Sequence, residues 1–374
     1  MDKIKVLELI SSGGYASPCS QIISILKNID RNKFKISVAS AGRGILEKEV
    51  EREGDAFYSL ELPKVLRTRF LKHLKTLYIQ ERFDIVHSYE SIGGFYGRLL
   101  KKHFPEIKCV HNIHGINYLN KERFFEKNIS KSIEQYLVHF TDMTICETMH
   151  DMKVAFDNRI ANPQKTVVVH NGIDIAKFSK SSTNIGLIKE LGLSPDNFII
   201  GNVSTFDYQK NQKLIIQASY YLSKKYPDMR FVLVGDGKYL KQMKNYARDS
   251  RLEDVVIFAG GRENVVDFYS IFDVFVLPSF WEGMPNVLLE AMASKLPIVC
   301  SNLPNHLEII KNNQSAFTIN PYEMDDLYHR IKVLYENQDI RKKLSTNAYE
   351  TIKKYNEKDF VDKIEKLYLE VMET

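Results

Sequence analysis

Short apolar runs alternate with longer helical patterns along almost the whole chain, and they do so in two successive series. In the first series the runs are Val6–Ile10, Ile36–Ala39, Ile85–His87, Lys108–Ile113 and Met143–Cys146, with amphipathic stretches such as Cys19–Lys27 and Thr148–Ala155 among them. In the second they are Phe198–Val203, Phe231–Val234, Val255–Phe258, Val274–Pro278 and Pro297–Ser301. Parallel strands need a crossover between them, usually a helix, so this rhythm predicts an α/β fold of two Rossmann-like, doubly wound parallel-sheet domains. A length of 374 residues at 44% hydrophobic content is enough for two ordinary cores.

The two series are separated by turn and linker chemistry over residues 162–182, including Asn162-Pro163, Asn171-Gly172 and a polar run from Ser179 to Asn184. The expected division is therefore 1–178 and 179–356, with a hinge near residues 175–195. Phe360, Ile364, Leu367 and Val371 recur at helical spacing, so residues 357–374 should form an amphipathic helix that packs back onto the first domain. Two such domains facing across a cleft would place strand C-termini on both walls, where open α/β sheets bind ligands.

Charge and cysteine usage narrow the function classes. Lys+Arg 52 against Asp+Glu 47 gives a formal charge of +5, which is not the footprint of a dedicated nucleic-acid binder. Cys19, Cys109, Cys146 and Cys300 are scattered without a CxxC pair, and no metal site is expected. Charges at Asp2, Lys3, Lys5 and Glu8 break any apolar leader, and the apolar stretch 265–281 carries Asp267, Asp273 and Pro278. A cytoplasmic protein is expected, with any membrane contact peripheral.

The most informative stretch is Pro278-Ser279-Phe280-Trp281-Glu282-Gly283-Met284-Pro285-Asn286-Val287-Leu288-Leu289-Glu290-Ala291-Met292-Ala293. It reads as a strand end, a loop carrying Glu282, and a helix opening near Asn286 whose free N–H groups can receive a phosphate or a sugar oxygen. At about 1.5 Å per helical residue, the two carboxylates fall on the order of 10 Å apart, beyond the roughly 5–9.5 Å of a glycosidase pair. They suit opposite ends of an elongated ligand. Taken alone, Glu282 could equally be a helix cap and Glu290 a solvated helix residue.

This stretch resembles the E-x7-E signature of the retaining glycosyltransferase family 4, in the glycosyltransferase-B fold. Val169-His170-Asn171-Gly172-Ile173-Asp174 is similar to the family's domain-junction motif, and Val232-Leu233-Val234-Gly235-Asp236-Gly237 to its strand-to-loop motif in the second domain. Phe83-Asp84-Ile85-Val86-His87 and Ile113-His114-Gly115 are similar to its first-domain strand ends. The resemblance implies transfer of a sugar from a nucleotide-sugar donor, UDP-sugar favoured, to a saccharide or lipid-linked saccharide, as in polysaccharide biosynthesis. It implies no cofactor and no metal, and no Asp-x-Asp pair occurs in the chain.

Carried onto this sequence, the resemblance places Glu282 by the donor sugar, Glu290 on the ribose, and Gly283, Met284, Asn286 and Val287 among the donor contacts. Gly13 and Gly14 fall beside the diphosphate, and His114 is the first-domain residue expected near the sugar. The family's Gly-Arg-x4-Lys pattern reads here Val203-Ser204-Thr205-Phe206-Asp207-Tyr208-Gln209-Lys210. Lys210 matches, while Thr205 stands where the Arg is expected, and Arg262 is the candidate to supply the missing charge. Asp207 should face solvent. Thr205 also leaves open a silent nucleotide-sugar-binding partner of another transferase, and a nucleotide-sugar epimerase would use the same fold.

Two basic amphipathic stretches are candidates for an anionic membrane surface. Residues 64–82 carry an apolar stripe at Leu66, Phe70, Leu74 and Leu77, and could equally pack on the first sheet. Residues 117–132 mix Tyr118, Phe124, Phe125 and Ile129 with Lys121, Arg123, Lys127 and Lys131, and are the better acceptor or lipid candidate.

Overall fold

A computed structural model describes residues 2–11, 17–40, 44–60, 68–115, 124–179 and 182–374. Two compact units emerge: residues 1–172 with 357–374, and residues 173–356. The change of unit falls at Gly172/Ile173, where Ile173 N–H donates to Tyr355 O at 2.8 Å. That bond ties both ends of the second unit together.

The first unit holds β1 (Ile4–Ile10), β2 (Phe34–Ser40), β3 (Ala56–Ser59), β4 (Ile85–Tyr89), β5 (Lys108–Ile113), β6 (Met143–Cys146) and β7 (Thr166–Val168). They form a parallel sheet in the order β3-β2-β1-β4-β5-β6-β7. Alternate residues of β1 go to opposite faces, as strand pleating requires. Val6 and Ile10 join Ile22, Ile25 and the last helix, while Leu7 and Leu9 join Phe70, Leu74 and Leu100.

The helix Glu357–Glu373 buries Phe360, Val361, Ile364, Leu367, Tyr368 and Val371 in the first unit's core. Each large side chain contributes about 1.5–3 kcal/mol of transfer free energy. Its Tyr368 hydroxyl also donates to Glu8 Oε1 at 2.8 Å, and Tyr89 satisfies Glu8 Oε2 at 2.8 Å. A carboxylate with no exposed surface is thus hydrogen-bonded on both oxygens, which offsets its desolvation.

The second unit holds β8 (Phe198–Val203), β9 (Met229–Val234), β10 (Val256–Gly260), β11 (Val274–Leu277), β12 (Ile298–Ser301) and β13 (Phe317–Ile319). They form a parallel sheet in the order β10-β9-β8-β11-β12-β13. In each sheet the order reverses once, between β1 and β4 and between β8 and β11. Such reversal points open a crevice at the strand C-termini.

The helix Thr68–Glu81 covers the basic stretch, and its Phe70, Leu74 and Leu77 are buried in the first unit's core. Its apolar face is therefore spent on the sheet; Leu66 lies outside the described residues. Of the second basic stretch, residues 117–123 lie outside them too, and the helix Phe124–Leu137 exposes Ile129. No helix among the described residues is long and apolar enough to cross a membrane.

Candidate active site

In the second unit, the chain leaves β8 into Thr205–Lys210 and leaves β11 into Ser279–Glu282, so both loops flank the reversal point. Gly235 fixes the neighbouring loop after β9. It has φ +142°, and a Cβ there would lie 2.0 Å from Ser204 O. Only glycine lets the two loops approach so closely. Phe206 N–H then donates to Asp236 O at 2.8 Å.

These loops bring Lys210 and Glu282 together. Lys210 Nζ lies 2.6 Å from Glu282 Oε1 and 2.8 Å from Oε2. Ser279 Oγ donates to Oε1 at 2.6 Å, and Gln209 Nε2 donates to Oε2 at 3.1 Å and to Trp281 O at 2.7 Å. Both oxygens of a nearly buried carboxylate are thereby satisfied, which fixes its orientation.

The helix opens at Asn286 and runs to Ala293, and no side chain caps its N-terminus. The loop preceding it carries Gly283 and the buried Met284, with Val287 half-buried in the first turn. Glu290 has a separate partner: the buried Tyr269 hydroxyl donates to its Oε2 at 2.7 Å. Burial raises the Glu290 carboxyl above its ordinary range, opposed by the Tyr269 hydrogen bond and the Lys177 charge. Glu282 and Glu290 are thus two distinct carboxylate positions linked by one loop and helix.

Thr205 is exposed, and its carbonyl accepts from Gln212 Nε2 at 2.8 Å. Asp207 is half-buried, accepts from Tyr208 N–H at 2.6 Å, and pairs with Lys238 at 3.3 Å. Arg262 follows β10, two strands from β8, or about 10 Å at the usual strand spacing. Its guanidinium pairs with Glu190 at 2.7 Å, donates to Ala259 O at 2.9 Å and sits over the Phe268 ring. Lys238, whose role no motif in the sequence indicates, brings a cation to the Thr205–Asp207 loop through its pair with Asp207.

His306 is a second addition. It is fully buried, its Nδ1 contacts Ser301 O at 2.8 Å, and its Nε2 has no partner. Burial lowers its pKa, while Glu282 raises it and Lys210 lowers it, which places the imidazole within electrostatic reach of that pair. Nothing in its sequence context, a lone His in a Pro-Asn-His-Leu run, distinguishes it from a packed core residue.

In the first unit, His114 follows β5, with Nδ1 2.8 Å from Oε1 of the buried Glu147. The His114 Nε2 is buried without a hydrogen-bond partner. Gln21 Nε2 donates to Glu147 at 2.8 Å and its Oε1 accepts from Asn112 at 2.8 Å. His114 therefore stands on a braced, polar strand-end cluster. Gly13 and Gly14 lie outside the described residues.

Comparison with known proteins shows the family. The family described as "Glycosyltransferase Family 4" matches residues 21–177, and "Glycosyl transferases group 1" matches residues 186–351. The chain is 30% identical over 364 residues to the UDP-Gal:alpha-D-GlcNAc-diphosphoundecaprenol alpha-1,3-galactosyltransferase of Escherichia coli, covering 92% of this chain and 91% of that one. It is 34% identical over 307 residues to the putative glycosyltransferase EpsF of Bacillus subtilis, covering 80% and 79%. Among solved structures, Anabaena Alr3699/HepE in complex with UDP and glucose shares the fold at a TM-score of 0.83 and 19% identity, over 97% of this chain and 98% of that one. The chain therefore belongs to the family 4 glycosyltransferases, the glycosyl transferases of group 1, with the glycosyltransferase-B fold.

Proposed function

We propose that this glycosyltransferase moves a sugar from a nucleotide-sugar donor, UDP-sugar favoured, to a lipid-linked saccharide, with retention of configuration and without a metal ion. The observation that carries it is the Lys210–Glu282 pair at the reversal point of the second sheet. The 30% identity to an undecaprenol-diphosphate galactosyltransferase over 92% of the chain supports the donor and acceptor class.

Each residue has a physical task. Lys210 and the N-terminus of the helix Asn286–Ala293 stabilise charge developing on the departing diphosphate. Glu282, held by Ser279 and Gln209, orients the reacting sugar, and Glu290 receives the ribose hydroxyls. His114, in the first unit, is the residue that the family resemblance assigns to the sugar. Donor and acceptor are held at reacting distance, and the acceptor hydroxyl attacks on the face the diphosphate leaves, so no carboxylate nucleophile is assigned.

The cation Lys210, fixed by Glu282, takes the electrostatic role that a metal ion would otherwise fill. A lipid-linked acceptor places the work at the cytoplasmic face of a membrane, with peripheral contact. The test is transfer by the purified chain from UDP-sugars to a GlcNAc-diphosphate lipid, with and without EDTA, and NMR assignment of the product anomer. Retained configuration and EDTA-resistant turnover are expected. Conversion of the donor without acceptor would replace this reading with an epimerase, and strict Mg²⁺ or Mn²⁺ dependence would overturn the metal-free assignment.

A further inference from the structure

Beside the Lys210–Glu282 pair, four aromatic residues from three loops form a partly exposed ladder. Phe280 is its centre: its ring lies 5.1 Å from Tyr208 at 31° and 5.0 Å from Tyr322 at 28°. Trp281 adds a ring 6.4 Å from Phe280 at 26°. Tyr208 follows β8, Phe280 and Trp281 follow β11, and Tyr322 follows β13.

The ladder is held by dedicated hydrogen bonds. Phe280 N–H donates to Gln209 O at 2.8 Å, and Asn211 Nδ2 donates to Pro278 O at 3.2 Å and Pro321 O at 2.8 Å. Gln209 joins it to the site, since the same amide nitrogen holds the Trp281 carbonyl and the Glu282 carboxylate. Yet Tyr322 is 75% exposed and Tyr208 54% exposed, so the outer rings do little for the core. Exposed aromatic rings held in register in this way can present a binding surface.

We propose that this ladder is a saccharide subsite that holds a neutral pyranose unit of the acceptor beside the reacting end of the donor site. This rests on the reading of the chain as a glycosyltransferase with a saccharide acceptor. The C–H face of a pyranose is electropositive, and the faces of aromatic rings are electron-rich, so the two stack. The rim supplies hydroxyl partners: Asn320, whose Nδ2 donates to Glu323 at 2.7 Å, and the exposed Glu323 beside Tyr322. The Glu323 carboxylate suits hydroxyl groups and opposes anionic headgroups.

Trp281 is the chain's only tryptophan, so its emission reports on the ladder without a transfer assay. The probes are the methyl α-glycosides of N-acetylglucosamine and galactose, with uridine and phosphatidylglycerol vesicles as rival occupants. A saturable change in Trp281 emission with a glycoside is expected. Its apparent Kd should rise about tenfold in Tyr322→Ala and recover in Tyr322→Phe, with the acceptor KM rising in parallel. Tyr322 is exposed enough that Tyr322→Ala should fold, which a thermal melt checks. No glycoside response together with a wild-type acceptor KM in Tyr322→Ala overturns the proposal. So does a Tyr322-dependent response to uridine alone or to vesicles alone. A chain that transfers no sugar at all would instead sink the functional reading, and the glycoside titration would still decide the ladder.

Discussion

Lys210 Nζ bridges both carboxylate oxygens of Glu282, at 2.6 and 2.8 Å, so the cation assigned to the diphosphate and the carboxylate assigned to the sugar orient each other. The pair is mostly shielded, with Lys210 17% and Glu282 6% exposed by side chain. Its electrostatics are therefore only weakly screened.

Removing one partner leaves the other charge shielded and unpaired. Lys210→Met or Glu282→Gln alone should destabilise by about 2–4 kcal/mol, at the low end for buried pairs because Lys210 retains some solvent contact. The double variant should cost clearly less than the sum. Urea unfolding of the three variants measures this, and strictly additive losses would show the pair is not one unit. Both single variants should lower kcat by at least about a hundredfold, with Glu282→Gln changing donor affinity less than Lys210→Met.

Glu290 should show the opposite balance between stability and binding. Burial raises its pKa, so the folded protein holds this proton more tightly than the unfolded chain does, and the resulting contribution to stability is lost as pH rises through the folded value. Glu290→Gln keeps an oxygen to accept from Tyr269 and carries no charge. It should raise Tm by roughly 2 °C at about pH 8, with a smaller gain at about pH 5. Donor affinity should fall more than tenfold, because charge-assisted hydrogen bonds to the ribose are worth about 1.5–3 kcal/mol. Unchanged donor affinity would remove Glu290 from the site.

The strands that position the site are those easiest to see in the sequence. β8 (FIIGNV), β9 (MRFVLV) and β11 (VFVL) are mostly apolar and almost wholly buried, which is how central parallel strands read. β3, β7 and β13 escaped because each is three or four residues long at a sheet edge, too short to show a period. Glu282, Glu290 and Lys210 were visible through motif spacing within one or two loops. His306, Lys238, Glu147 and Tyr269 were not, because each reaches its partner through tertiary packing. Lys238 meets Asp207 only because Gly235 lets two loops touch, and Tyr269 meets Glu290 across separate helices.

Two buried histidines should make the fold sensitive to acid. Burial holds His111 well below the ordinary histidine range, reinforced by the Arg98 charge, and burial also lowers His306. With folded pKa values below the unfolded one, the unfolded chain binds more protons below about pH 6.5, so stability falls there as pH drops. Tm should decline between about pH 7.5 and about pH 5.5, and His306→Asn should flatten that decline. Glu290 works in the other direction, so the comparison must be made against wild type at each pH. An identical pH slope in His306→Asn would mean that His306 titrates alike folded and unfolded.

The charge missing at Thr205 gives the last test. Lys238 reaches this loop through Asp207, in a pair whose side chains are 67% and 43% exposed. Such a pair is worth about 0–1 kcal/mol, so a diphosphate can draw Lys238 away at little cost. Arg262 pairs with Glu190 two strands away, and its own reach must cover the width of β9. If Lys238 supplies the charge, Lys238→Ala should lower kcat about tenfold, or about 1.4 kcal/mol, while Arg262→Ala acts mainly on donor KM. Thr205→Arg should then rescue Lys238→Ala, because a guanidinium at that position can take two diphosphate oxygens. A tenfold loss of kcat in Arg262→Ala with none in Lys238→Ala would assign the compensation to Arg262 instead. Saturating donor in all four measurements keeps binding from masking the difference.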